Sequence, residues 1–195
     1  MVKTLFTIGY AGRTPVEVIA LLKRHKITAL CDVRSTPYSG RHPQFNRESF
    51  SEILNAHEID YVFLGDELGA RPGDPSCYIN GKADHLKIID TNLFKNGLKR
   101  VRRGMQNGYV PALMCSEKDP LTCHRAILIC RSLRGQGIDM LHIIDHATIE
   151  TQAELEKRLI AHLQLHPDMF KDSAPDALIE RAYDAQADRI AYVDK

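Results

Sequence analysis

The apolar positions of this chain fall into short runs that switch between two periods. Thr4-Leu-Phe-Thr-Ile8 is rich in β-branched and aromatic residues and stops at Gly9. Thr14-Pro15-Val-Glu17 then offers a helix N-cap, a proline at the first helical position and a capping-box acid. Val18, Ile19, Leu21 and Leu22 give that helix an apolar face, and Ile27-Thr-Ala-Leu-Cys-Asp-Val33 follows as a nearly continuous apolar run of the buried-strand type. The opening therefore predicts a βαβ unit.

The alternation continues. Ser35 to Pro43 reads as loop, Asn46 as the cap of a helix carrying Phe50, Ile53 and Leu54, and Asp60 to Leu64 as a third strand. From Gly65 to Gly81 turn residues dominate, which predicts a long excursion able to serve as a lid. A helix from about Thr91 to Gln106 places Phe94, Leu98, Val101 and Met105 on one face, with Gly108 just beyond it. Val110 to Cys115 predicts a strand, Asp119-Pro120 the start of a helix running to Arg134, Ile138 to Ile144 another strand, and Thr148 to Leu163 an amphipathic helix. Beyond Pro167, Leu178, Ala182, Ala185 and Ile190 keep helical spacing, predicting a helix docked on this chain or on a second copy in a homodimer. The predicted fold is α/β: a single three-layer Rossmann-like domain with a largely parallel sheet over residues 1–166, and a C-terminal helical extension over 167–195.

Composition narrows the function classes. With 195 residues, 44% hydrophobic and 26% charged, the chain has enough apolar material for a core of its own. Lys+Arg 26 against Asp+Glu 25 leaves a net charge of +1, too weak a field to gather nucleic acid or anionic membrane. Lys95, Lys99, Arg102 and Arg103 read first as a solvated helix face and second, with Arg41, as a nucleic-acid backbone contact. No apolar run approaches the roughly 18 residues that span a bilayer, and the start lacks a signal-peptide pattern, so a cytoplasmic protein without a membrane partner is expected. Five cysteines, three of them in or beside apolar runs, argue against a disulfide framework.

In an open α/β sheet, ligands bind beyond the carboxyl ends of the strands. There this sequence places Tyr10 and Arg13, then Asp32 and Arg34, then Asp66, Glu67 and Arg71, then Cys115, Glu117, Lys118, Cys123, His124 and Arg125. A helix starting at Pro120 would aim free N–H groups at the rim, so Tyr10, Arg13, Arg34, Lys118 and Arg125 are candidate ligand-binding residues for an anion. Glu117, His124, Asp32, Cys115 and Cys123 are the catalytic candidates, as acid or base groups and as a thiolate whose pKa the cations would lower. The competing reading makes both cysteines small packing residues. A metal is not expected: the spacing fits no usual zinc pattern, and neighbours such as Cys123 and His124 on a helix would point about 100° apart. His42, Phe45 and Asn46 could stack on and bond a base, or staple and cap the helix behind them, and His142 reads as a core histidine.

Gly9-Tyr10, Asp32-Val-Arg34-Ser-Thr-Pro37, Gln44-Phe-Asn46, Leu64 to Gly69 and Cys115-Ser-Glu-Lys-Asp-Pro-Leu-Thr-Cys-His-Arg125 together resemble a bacterial and archaeal family catalogued as domain of unknown function 488. The resemblance implies a compact α/β fold and a polar pocket, and it carries no activity, substrate or cofactor. The leading expectation is an enzyme, hydrolase-like, acting on a nucleotide or phosphorylated small molecule held in an anion-binding pocket. The alternatives are a non-enzymatic nucleic-acid or nucleotide-binding module and a thiol- or metal-responsive interaction protein.

Overall fold

The computed structural model describes residues 3–168, 174 and 176–194. Its strands are β1 (Lys3–Gly9), β2 (Ala29–Asp32), β3 (Asp60–Phe63), β4 (Tyr78–Ile79), β5 (Lys82–Ala83), β6 (Pro111–Cys115), β7 (Ile138–Ile143) and β8 (Ile149–Thr151). Six of them form one sheet in the order β3-β2-β6-β1-β7-β8, parallel except for β8 at the edge, while β4 and β5 make a separate hairpin. The α-helices are α1 (Pro15–Arg24), α2 (Arg47–Asn55), α3 (Gly65–Leu68), α4 (His85–Asp90), α5 (Asn92–Gln106), α6 (Arg131–Leu133), α7 (Gln152–His162) and α8 (Ala177–Ile190).

The fold is the three-layer, Rossmann-like α/β arrangement that the period pattern predicts. Alternate residues of each central strand point to opposite faces, so Phe6, Ile8, Leu30, Ala112 and Met114 pack against α1 and α2. Leu5, Cys31, Leu113 and Cys115 face the other way, onto α3, α5 and the segment after β6. Local chemistry sets the helix starts: Thr14 and Glu17 close a capping box, and Thr91 caps α5 through Phe94 N–H. Helix α8 docks on this same chain against α7, burying Ala182 of the predicted face together with Ile179, Tyr183 and Ala187. Among the described residues no helix is long and apolar enough to cross a membrane, and all five cysteines are buried and free.

Three elements differ from the sequence-based expectation. Residues Ile149–Thr151 form an antiparallel edge strand on β7, and the helix begins only at Gln152, where Thr151 and Glu154 make a second capping box. The excursion from Gly65 to Gly81 is folded: it holds α3, a 3-10 turn and β4, and the hairpin strand β5 and helix α4 follow directly. The long helix expected from Pro120 is divided into a 3-10 turn (Pro120–Thr122), an extended Cys123 with φ −132 and ψ 137, a π-helical segment (Arg125–Cys130) and α6.

His142 is the core histidine its strand position predicts. Its Nε2–H donates to Gln152 Oε1 at 2.9 Å, leaving Nδ1 to accept from the Thr7 hydroxyl at 2.8 Å. Burial first, then the Arg125 and Arg158 cations, lowers its pKa to about 4 against an ordinary 6.5. The unfolded chain therefore binds a proton that the folded chain refuses as pH falls from the ordinary value toward the folded one, and stability falls with it. Between about pH 7 and about pH 5 this histidine alone is expected to remove about 2 kcal/mol. Urea unfolding at the two pH values checks it: His142→Gln should shrink the difference by about 2 kcal/mol and leave the part due to His85, whose pKa burial also lowers to about 4, and a difference unchanged in His142→Gln would refute the assignment.

Candidate functional site

The carboxyl ends of the parallel strands meet at one edge of the sheet, with β6 between β2 and β1. Cys115, the last residue of β6, pairs in register with Gly9, and the loop beyond is tied down as Tyr10 N–H donates to Cys115 O and Ala11 N–H to Ser116 O. Such a switch in strand order opens a crevice. Here it is a cleft of about 420 Å³ whose floor carries Cys115, Glu117 and His124. Its walls come from Tyr10, from Arg34, Ser35, Thr36, Tyr38 and Ser39, from Arg71 in the turn-rich excursion, and from Ile190 at the end of α8 with Tyr192 just beyond.

The C-terminal segment is held over this cleft by backbone pairing with the hairpin. Ala83 N–H donates to Tyr192 O and Asp194 N–H to Gly81 O, each at 2.8 Å. The Arg71 guanidinium lies over the Tyr192 ring, 4.4 Å from its centre, and Arg71 N–H donates to Ser35 Oγ. Among the described residues no carboxylate pairs with the Arg71 side chain.

At the floor, His124 Nε2 lies 2.9 Å from Val33 O. A carbonyl only accepts, so Nε2 carries the proton and Nδ1 keeps a free lone pair when the ring is neutral. That lone pair faces two thiols: Cys115 Sγ at 3.6 Å and Cys123 Sγ at 3.9 Å. Cys115 S–H also has Glu117 Oε2 within 3.0 Å.

The two thiols are driven apart in acidity. Donation of its S–H to Cys123, followed by burial, holds the Cys115 thiol well above its ordinary pKa. Burial alone would do the same to Cys123, yet the Cys115 S–H, the Arg125 cation and His124 outweigh it and bring this thiol well below. His124 is pushed up despite its burial because it sits beside the Cys123 sulfur and the Val33 carbonyl. Glu117 reaches solvent through the cleft, but the concave floor still crowds its carboxyl, which with the neighbouring Cys123 raises it above the ordinary carboxylate range. Cys31 and Cys130, buried elsewhere, are each pushed up to about 12 by desolvation.

The structure brings Tyr10, Arg34, Cys115, Glu117 and His124 to the cleft, with Cys123 directly behind them. Other candidates are turned to different tasks. Asp32 is fully buried and binds Arg34 through Nε and Nη2, at 2.9 and 2.5 Å, and accepts from the Tyr61 hydroxyl at 2.6 Å. Arg34 therefore meets the cleft already neutralised. Arg125, also fully buried, donates to Glu117 O at 2.6 Å, Lys118 O at 3.0 Å and Thr7 Oγ1 at 3.3 Å. It braces the loop from beneath and presents no guanidinium to a ligand there.

Arg13 donates to the carbonyls of Gly9 and Ile144, and Lys118 borders a separate hollow with Thr148 and Arg158. The anion seat expected at Pro120 is absent because the turn there is short and its Leu121 N–H is taken by Asp119. Asn46 caps no amide of α2, its Oδ1 accepting from Ser39 N–H instead, and Phe45 stacks on Tyr10 at 4.4 Å. The basic helix α5 has part of its charge paired, Lys95 with Asp90 and Arg100 with Glu67.

Strand-end reasoning placed Arg71 at this rim and missed Tyr192. Tyr192 follows no strand, because it reaches the cleft through the docking of α8.

Fold and site together define an α/β protein with a cysteine–histidine–glutamate cleft at the strand ends. A family model described as domain of unknown function DUF488 matches residues 14–131, more than half of the chain. The chain belongs to that family. The matched stretch contains Asp32, Arg34, Arg71 and the whole segment from Cys115 to Arg125, whereas Tyr10 and Tyr192 lie outside it. No curated protein and no solved structure matches the chain.

Proposed function

We propose that the cleft is the active site of a hydrolase-type enzyme acting on a nucleotide or another phosphorylated small molecule, with Glu117 as its acid–base group. The observation that carries this reading is the placement of Cys115, Glu117 and His124 on one floor, within a cleft whose Arg71 guanidinium is not neutralised by a carboxylate among the described residues. A planar guanidinium matches a phosphate bidentately, and the hydroxyls of Ser35, Thr36 and Ser39 line the same wall. Tyr38 and Tyr192 offer ring surface for a base or sugar, and a cleft of about 420 Å³ suits one small ligand better than a polymer.

Thermal-shift measurements against mononucleotides, sugar phosphates, inorganic phosphate and short oligonucleotides test the reading. A small phosphorylated ligand at 100 times its dissociation constant is expected to raise the melting temperature by about 5–10 °C, and Arg71→Ala to abolish the shift. With the ligand so found, Glu117→Gln should keep the shift and slow hydrolysis by on the order of 10²–10⁴. A shift from oligonucleotides alone, kept in Arg71→Ala and lost in salt, would overturn the proposal and move the function to nucleic-acid binding on α5.

A further inference from the structure

We infer that Cys115, Cys123 and His124 form a mononuclear zinc site at the floor of the cleft, with three protein donors and one coordination position left open. The donor atoms lie within 4.8 Å of one another, all on buried residues. A tetrahedral zinc with Zn–S of about 2.3 Å and Zn–N of about 2.05 Å sets its donors about 3.6 Å apart for sulfur and nitrogen and about 3.8 Å for two sulfurs. Of the observed sulfur-to-Nδ1 separations, 3.6 Å for Cys115 sits on that edge and 3.9 Å for Cys123 lies about 0.3 Å beyond it, a gap that a small turn of the Cys123 side chain closes. As contacts between a ring nitrogen and weak S–H donors they are long; as edges of a coordination tetrahedron they fit.

The histidine is also prepared for a metal. Ligating histidines donate their other ring N–H to a carbonyl or carboxylate, which fixes the tautomer and the ring plane. The His124 Nε2–H to Val33 O bond does this and leaves Nδ1 facing the sulfurs. Two thiolates and an imidazole are a soft, neutralising donor set that favours zinc over magnesium, calcium or manganese.

The sequence argument against a metal assumed that Cys123 and His124 stand on one helix. Cys123 is in fact extended and the π-helical segment starts beyond it, so the 100° rule does not apply to this pair. Segments of π-helix are rare and are frequently found at functional sites. Glu117 Oε2, 3.0 Å from Cys115 Sγ, stands beside the cluster without belonging to the mutually close set. The open position is therefore left to a water molecule, with this carboxylate next to it.

The role of such an ion in hydrolysis rests on the proposed reading of the cleft; the site itself rests on donor geometry, and the two are tested apart. The full-length reduced protein is stripped with a chelator and titrated with cobalt(II), a spectroscopic stand-in for zinc. One equivalent should produce a thiolate-to-cobalt charge-transfer band with intense tetrahedral d–d bands, and one equivalent of zinc(II) should bleach both. Cys115→Ser and Cys123→Ser should each weaken the charge-transfer band and lower cobalt affinity by on the order of 100-fold or more, since loss of a supporting partner alone costs 10–100-fold.

Cys31→Ser and Cys130→Ser should leave the spectrum unchanged, and far-UV circular dichroism verifies that each variant is folded. The wild-type titration needs no variant. Absence of a charge-transfer band in the wild type, its survival in the Cys115→Ser/Cys123→Ser double variant, or a Cys115–Cys123 disulfide found in its place by mass spectrometry would overturn the site. An Arg71-dependent ligand shift in a protein that binds no cobalt would refute the metal and leave the enzyme reading standing; cobalt binding without any ligand shift would do the reverse.

Discussion

Asp32→Asn is expected to cost about 3–5 kcal/mol of folding stability, because it strands the Arg34 cation in the core. Asp32 is fully buried and Arg34 nearly so, and the carboxylate takes bonds from Arg34 Nε and Nη2, from Arg34 N–H and from the Tyr61 hydroxyl. The pair ties the end of β2 to the loop after it, since Arg34 Nη2 also donates to Phe45 O at 2.8 Å. An isolated buried charge finds neither water nor a counter-ion, so the loss should appear as a melting temperature lower by about 10 °C or more. Replacing both partners by apolar residues, as in Asp32→Leu with Arg34→Met, should recover part of that loss, because it removes the charge as well as the bond. A single variant within about 1 kcal/mol of the wild type would mean that the pair does not brace the rim.

Gly9→Ala is expected to damage the site as well as the fold. A methyl group there would meet Glu117 O at 1.8 Å, the Glu117 carbonyl carbon at 2.6 Å and Lys118 Cα at 3.0 Å. The loop cannot simply retreat, because Arg125 holds the Glu117 and Lys118 carbonyls from the other side. Overpacking of this kind costs about 1–3 kcal/mol and moves backbone. The backbone it would move carries Glu117, so Gly9→Ala should lose the ligand-induced thermal shift, whereas Gly40→Ala, with nothing within 4 Å of the added carbon, should match the wild type in both stability and ligand response. A Gly9→Ala variant of normal stability that still responds to ligand would show that the loop has more room than this packing allows.

The parts of the fold that follow from neighbouring residues were legible in the chain. The strands at Thr4, Ile27, Asp60, Val110 and Ile138 show as apolar runs because each side chain of a buried parallel strand meets a helix-covered face. Helix α1 was legible from Thr14, Pro15 and Glu17 because a capping box closes over four residues. The same signal at Thr151 and Glu154 marks the true start of α7, but Ile149 and Glu150 ahead of it fit a helical period equally well. Their antiparallel pairing with His142 and Ile143 across a short turn makes them a strand, and a count of helical period does not register such pairing.

The segment after β6 failed as a continuous helix for a related reason. Its pattern from Pro120 to Arg134 is helical, but Arg125 is drawn beneath the loop to two carbonyls and to Thr7 on β1, and the backbone passes through an extended Cys123 on the way. Propensity yields there to a cation that has to find acceptors once it is buried.

The sequence by itself thus determined the α/β class, the helix caps and the cluster Cys115, Glu117, Cys123 and His124 as the place to look, because these depend on period, capping and short-range spacing. The tertiary structure alone decided which charges are free. It paired Arg34 with Asp32, sank Arg125 beneath the loop and left Arg71 at the cleft wall, and it turned both sulfurs toward one imidazole nitrogen. Whether a guanidinium binds a ligand or a carbonyl, and whether two thiols share a donor set, depends on how side chains are aimed, which short-range spacing does not fix and which exists only once the sheet has closed.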